Sequence, residues 1–375
     1  LSKNIVLLCD GTSNQITRNR SNIVRLFGCL EKGDAQTVFY DPGVGTFGAE
    51  NSASHYHRKA VEVWGLATGW GIHQNVKEAY EFLVHHYHHG DKKAGIAPDK
   101  IYIFGFSRGA YTARLLAGFI HAVGLIHPDH LNLLDYAYRA YSTIGDDPGE
   151  EKDGGVFDKV RLFERMLRPI RPVISFMGLF DTVGSVFESS KLGPRLKTHA
   201  FTNINPSVAR VSHAVALDER RTMFLPQLWP RDQIHRPKYF AKSSEVAQIV
   251  NEQWFKGVHG DIGGGYPEED SALAKIPLHW MIQEAKSAGL SFKTQTVNRI
   301  VLGKSNDDYV APDPKVAAQN SMNSLWPILE YLPRKNRRPL QTSRPTFFDY
   351  YIPRCERRIL PPDAVLHDSV RALDS

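Results

Sequence analysis

A serine hydroxyl attacks a carbonyl only when an imidazole takes its proton and a carboxylate holds that imidazole in the right tautomer. The chain offers a serine, an aspartate and a histidine at places suited to that work. Ser107 lies in Gly105-Phe106-Ser107-Arg108-Gly109, after the apolar run at 101–104 and before an apolar helical pattern. Such a stretch predicts strand, sharp turn and helix, with the serine hydroxyl pushed out above the sheet. Gly105 and Gly109 are required because side chains there would collide with the neighbouring strand and helix. The plain alternative is a serine that only caps a helix. Asp181 ends the buried run at 172–180, where a turn-forming aspartate is the ordinary role. His259 follows the strand pattern at 246–258 and opens a glycine-rich loop. Asp129, Asp135 and Asp218 compete with Asp181, but none of them ends a buried strand. His121, His213 and His279 compete with His259, and each falls inside a helical pattern.

Holding three distant residues together is the task of the surrounding elements. Residues 4–9, Asn-Ile-Val-Leu-Leu-Cys, form a continuous apolar run, the mark of a strand buried on both faces. A second strand is predicted to run into a glycine-rich loop over 37–46, with the loop facing the site, and further strands at 101–104, 172–180 and within 246–258, with another at 297–302. Helices are predicted at 22–30, 72–87, from the elbow to about 126, at 131–144, 156–167, 206–220 and 271–288. Pro206 suits the first turn of the helix at 206–220, and a loop is expected over 186–205. Alternating strands and helices predict an α/β fold, a mostly parallel doubly wound sheet of the α/β-hydrolase kind with helical insertions. Ligands bind such sheets at the carboxyl ends of the strands, where Asp10, Ser107, Asp181 and His259 all fall. The chain order Ser, Asp, His is that of α/β hydrolases. Residues 1–290 are read as the catalytic domain, with a helical insertion at about 127–170. Residues 291–375 are read as a C-terminal extension packed on the core.

An acyl-transfer site also needs two backbone donors for the oxyanion. The amide of Arg108 is one candidate, and Gly11 or Thr12, after the first strand, supplies the other. Asp10 beside them would oppose an oxyanion, so its charge is expected to be tied up by Arg108 or by backbone donors, in a bracing role. Asp261 lines the same region, either as a brace for its loop or as a metal ligand.

Composition narrows the remaining classes. The formal charge of +6 over 375 residues reads as spread along the chain, apart from the basic run Arg334, Lys335, Arg337 and Arg338. That argues against nucleic-acid binding and leaves contact with an anionic membrane surface open. Cys9, Cys29 and Cys355 are too few and too scattered for a disulfide framework or a zinc site. His85, His86, His88 and His89 read as a solvated helix end and not as metal ligands. No metal or other cofactor is called for. No run reaches the roughly 18 apolar residues of a membrane span, and no signal-peptide pattern is present. The chain is expected to be made in the cytoplasm, with delivery outside it left open. Two other classes remain: a metal-dependent phosphatase or phosphodiesterase using Asp10, Asp181, His259 and Asp261, and a catalytically silent hydrolase fold used for binding.

The chain also resembles a known family on five motifs. They are Asp10-Gly11-Thr12 with Asn14; Tyr40-Asp41-Pro42-Gly43-Val44-Gly45-Thr46; Gly105-Phe106-Ser107-Arg108-Gly109-Ala110; Phe180-Asp181-Thr182-Val183; and Gly257-Val258-His259 with Asp261-Ile262-Gly263-Gly264-Gly265. Together they resemble the α/β-hydrolase domain family, formerly of unknown function, that includes phospholipase effectors of bacterial type VI secretion. The likeness spans roughly residues 3 to 285. It implies a serine esterase acting on acyl esters, phospholipids above all, with nucleophile, acid and base at Ser107, Asp181 and His259. It also implies a secretion-system partner, and a lid or acyl pocket formed by the insertion and the 186–205 loop. Ser13 departs from the family, which usually has an aromatic there.

Overall fold

The computed structural model describes residues 2–11, 19–43, 70–144, 155–184, 187–190, 193–196, 199–304, 308–323, 326–336 and 341–371. The run at 4–9 becomes strand β1 (Asn4–Cys9), with every residue from Ile5 onward buried. Helix α1 (Asn22–Cys29) follows, capped by the Ser21 side chain on the amide of Val24, and β2 spans Gln36–Asp41. Helix α2 (Trp70–His86) leads to β3 (Lys100–Phe106) and the elbow helix α3 (Arg108–Val123). The insertion folds as a 3-10 turn (Pro128–Leu133), α4 (Leu134–Ser142) and α5 (Gly155–Leu167). Strand β4 (Ile174–Phe180) comes next.

Beyond β4 the outcome departs from expectation four times. Part of the expected 186–205 loop is an antiparallel hairpin, β5 (Phe187–Ser190) with β6 (Gly193–Leu196). The helix predicted at 206–220 is strand β7 (Arg210–Ala216), buried from Val211 onward. Its alanines suit a helix, but Val, Ser and His do not favour one, and a slot between two strands of the sheet decides the matter. The strand predicted at 297–302 is instead a helical turn, Thr294–Thr296 running into a π turn at Val297–Val301. A short hairpin, β8 (Ile234–His235) with β9 (Val246–Ala247), precedes β10 (Ile249–Phe255). A one-turn helix α6 (His259–Gly263) then stands where a loop was expected, and α7 (Lys275–Ser287) follows.

The central sheet has the order β10-β7-β4-β3-β1-β2, and every pairing in it is parallel. Alternate residues serve opposite faces, as the pleat demands. Ile5, Leu7, Ile101 and Ile103 pack against α2, α3 and the insertion. Val6, Leu8, Tyr102 and Phe104 pack against α1 and α7. The chain runs from β1 outward to β2 and then returns to β3 on the other side of β1. The order therefore reverses between β1 and β3, and the crevice at their carboxyl ends lies between Asp10 and Ser107. Among the described residues, no helix is long and apolar enough to cross a membrane.

The extension reaches back to the sheet. The amide of Trp254 donates to Val365 O, and that of His367 donates to Trp254 O, so the outer edge of β10 is covered. The basic surplus is not evenly spread: positions 326–360 hold eight Lys or Arg against three Asp or Glu. From this segment Arg358 reaches Asp181 at the end of β4, while Arg334 and Arg344 pair with Glu330 and Glu356 within the segment.

Candidate active site

Ser107 takes φ 58° and ψ −120° between β3 and α3. Few non-glycine residues adopt such a backbone, and it holds only where the surroundings impose it. Two glycines make the turn tight enough. A Cβ on Gly105 would stand 2.4 Å from Gly109 O, and one on Gly109 would stand 2.2 Å from Cys9 O of β1. Helix α3 is buried on every side, so the turn cannot relax outward. The amide of Ser107 donates to Phe180 O at 3.0 Å, joining the elbow to the end of β4.

Ser107 Oγ lies 2.8 Å from His259 Nε2, and His259 Nδ1 lies 2.5 Å from Asp181 Oδ2. The three residues chosen from sequence are thus brought into one hydrogen-bonded line. Asp181 is fully buried and Ser107 is 8% exposed. The imidazole is held between two rings, Phe106 at 4.8 Å and Phe224 at 4.9 Å between centroids. Burial lowers the His259 pKa below its ordinary value, against the pull of Asp181. For Asp181, burial alone would raise the pKa. The Arg358 guanidinium and His259 outweigh it and keep the carboxyl well below the usual range.

The rivals are occupied elsewhere. His121 bonds Ser207, His213 bonds Glu252, and His279 bonds Gln283. Asp135 pairs with Lys77, Asp129 lies against His127, and Asp218 accepts from the amide of Gly257. His213 lies in a strand, not the helix expected, and its Nε2 accepts from the amide of Thr182.

Asp10 is 1% exposed. Its Oδ2 accepts from Ser21 at 2.5 Å and Tyr40 at 3.0 Å, and its Oδ1 accepts from the Gly11 amide at 2.7 Å. The side-chain donors Ser21 and Tyr40 were not foreseen. The Gly11 amide is directed at this carboxylate, while Thr12 lies outside the described residues, as do Ser13 and Asn14. A Cβ on Gly43 would stand 2.4 Å from Gly11 O, so the chain just after β2 abuts this turn. Asp261 Oδ2 accepts from the amides of Val258 and Gln319 at 2.9 and 3.0 Å. Burial raises its pKa to about 6, against those bonds. It ties the first turn of α6 to the extension. Among the described residues, no three His, Cys, Asp or Glu side chains are grouped so as to hold a metal.

Several residues here went unforeseen. Arg358 donates through Nη1 to Asp181 Oδ1 at 2.6 Å and through Nη2 to Oδ2 at 3.0 Å. Glu219 is wholly buried and accepts from the amide of His259 at 3.1 Å. It also accepts from Arg221 Nη2 at 2.8 Å and from Ser321 Oγ at 3.0 Å. Burial pushes the Glu219 pKa up, but Arg221 and Arg358 bring it down to about 2. Arg221 in turn lies 3.8 Å above the Phe224 ring. Reading 210–216 as a strand would have placed Asp218-Glu219-Arg220-Arg221 at its carboxyl end and so near the site. For Arg358 the local sequence carries no such signal.

A family model for the type VI secretion phospholipase effector, Tle1-like, catalytic domain matches residues 3–284. Uncharacterized protein YEL023C of Saccharomyces cerevisiae is 32% identical over 247 residues, covering 64% of this chain and 34% of that protein. The chain therefore spans about a third of that relative's length. Two solved structures are similar at lower identity. One is an uncharacterized protein from Pseudomonas aeruginosa, at 20% identity and a TM-score of 0.41, over 78% of this chain and 46% of that one. The other is the Tle1 effector bound to the VgrG spike of the type VI secretion system, at 19% identity and a TM-score of 0.31, over 73% of this chain and 53% of that one.

Proposed function

This chain belongs to the Tle1-like phospholipase effector catalytic-domain family, and from that premise we propose that it is a serine esterase hydrolysing the acyl esters of phospholipids. The observation that carries the proposal is the continuous line Ser107, His259, Asp181, built on an elbow whose backbone leaves the hydroxyl beside the imidazole. Ser107 Oγ bonds to the acyl carbonyl carbon while its proton passes to His259 Nε2. Asp181 holds Nδ1 and balances the imidazolium that forms. The imidazolium then gives its proton to the departing alkoxide, leaving an acyl-serine that water hydrolyses by the same route. Arg108 contributes its amide to the oxyanion hole, and the second donor comes from the Gly11-Thr12 turn. The Gly11 amide donates its hydrogen bond to Asp10 Oδ1, which makes Thr12 the better donor of the two. Asp10 and Asp261 brace their turns.

The metal-dependent alternative is less well supported. Asp10, Asp181 and Asp261 accept hydrogen bonds from Ser21, Tyr40, Arg358, backbone amides and His259. Oxygen atoms so engaged are poorly placed to ligate a cation. A secretion-system partner is carried by the family's name, whereas a related stretch also occurs in a yeast protein. The hydrolytic assignment is independent of the delivery route.

The test is fatty-acid release from phospholipid vesicles and short-chain esters by the purified chain, with and without a chelator. Release that is unchanged by chelator is expected. Release abolished by chelator and restored by a divalent cation would replace this reading with the metal-dependent one.

A further inference from the structure

Family membership accounts for residues 3–284, yet the carboxylate that bonds His259 is gripped from outside that range. We propose that Arg358 is a positioning residue for the acid–base pair, so that the hydrolytic site is complete only with the C-terminal extension docked. This inference rests on the serine-esterase reading of the same site.

The geometry is that of a planar fork on a planar carboxylate. Arg358 Nη1 and Nη2 each take one oxygen of Asp181, which fixes the plane of the carboxyl group as well as its place. The guanidinium is itself held: Nη1 also donates to Ala216 O at 2.8 Å, and Nη2 also donates to Phe224 O. Asp181 Oδ1 accepts a further bond from the amide of Ala216 at 3.0 Å, and Oδ2 is shared with His259. Arg358 is 8% exposed, so solvent screens the pair little.

Other points of the extension close on the same residues. Ser321 reaches Glu219, which holds the backbone of His259. The amide of Gln319 donates to Asp261 in the turn that carries His259. Glu330 accepts from the amide of Thr222 at 2.9 Å. Trp326 lies 5.6 Å from the Phe224 ring that covers His259. These contacts hold the extension in register with the site, and Arg358 is the one among them that bonds Asp181.

Two effects of Arg358 are separable. As a fork it orients the carboxylate. As a cation it opposes the pull of Asp181 on the imidazolium, and so keeps His259 easier to deprotonate. The other charged or titratable groups around the pair are Arg221 and Glu219, which bond each other, and His213 with Glu252 from β7 and β10. Of these, Glu219 also feels Arg358, which helps hold its carboxyl down, whereas the Glu219–Arg221 and His213–Glu252 hydrogen bonds do not involve position 358.

The experiment measures the rate of covalent labelling by a fluorophosphonate against pH, for the full chain and for Arg358→Met and Arg358→Lys, with folding checked by thermal melts. Wild type is expected to show an acid limb below 6.5, the ordinary value of histidine, because burial lowers the His259 pKa. In Arg358→Met the limb should move up by about one pH unit, with the plateau rate down roughly tenfold or more. In Arg358→Lys the charge remains and the fork is lost, so the limb should stay near wild type while the plateau falls. A folded Arg358→Met with an unmoved limb would overturn the inference. Should Arg358→Met not fold, labelling of Arg358→Lys at the wild-type rate would overturn it. A wild type that is not labelled at all would instead remove the serine-esterase reading beneath it.

Discussion

The two halves of the site are held by different physics. On the nucleophile side, Ser107 is fixed by main chain packed against main chain. Gly109 leaves no room for a Cβ beside Cys9 O, and Gly105 leaves none beside Gly109 O. On the acid–base side, Asp181 and His259 are fixed by charged side chains drawn from distant parts of the chain, through an ion pair at Asp181 and a backbone hydrogen bond at His259. Arg358 lies 177 positions from Asp181, and Glu219 lies 40 positions from His259. Steric construction writes a short motif into the sequence, whereas electrostatic construction scatters its residues. The first half should therefore fail by misfolding when altered, and the second by a graded, pH-dependent loss.

The largest expected effect tests the steric half. Gly109→Ala puts a methyl group 2.2 Å from a backbone oxygen of a central strand, where nothing flexible can yield. We expect a loss on the order of 4 kcal/mol, or failure to accumulate as folded protein, read by denaturant unfolding. A variant with wild-type stability would break the comparison. A smaller effect is expected from Glu219→Gln, which keeps the shape and removes the buried charge facing Arg221. The expected cost is roughly 2–3 kcal/mol at neutral pH. Because the folded pKa of Glu219 is held down to about 2 from an ordinary 4.5, its contribution is fully present above about pH 4.5. It is lost as pH falls toward 2. The stability gap between wild type and Glu219→Gln should therefore narrow across that window. A gap that did not change with pH would assign Glu219 a packing role only.

The same contrast explains what could be read before the structure was known. Strand β1 and the elbow strand were legible because a continuous apolar run has few other uses, and α2 because its apolar positions recur at helical spacing. Strand β7 was not. Arg210-Val211-Ser212-His213-Ala214-Val215-Ala216 lacks the unbroken apolar run of β1 and of the elbow strand, and Pro206 imitates a helix start. Only the neighbours β4 and β10 select the strand. The misreading hid Glu219 and Arg221, which follow the strand directly. At Val297–Val301, apolar residues spaced for one helical turn passed for a strand. Ser107, Asp181 and His259 could be singled out because each terminates an element at the same edge of the sheet. Arg358, in a proline- and arginine-rich stretch without periodicity, becomes visible only when the extension is seen against Asp181.

The most direct measurement of the central claim is mass-spectrometric mapping of a fluorophosphonate adduct on the intact chain. The adduct is predicted on Ser107, absent in a folded Ser107→Ala and strongly slowed in His259→Ala. An adduct on another residue, or acyl-ester hydrolysis that survives Ser107→Ala undiminished, would contradict the account.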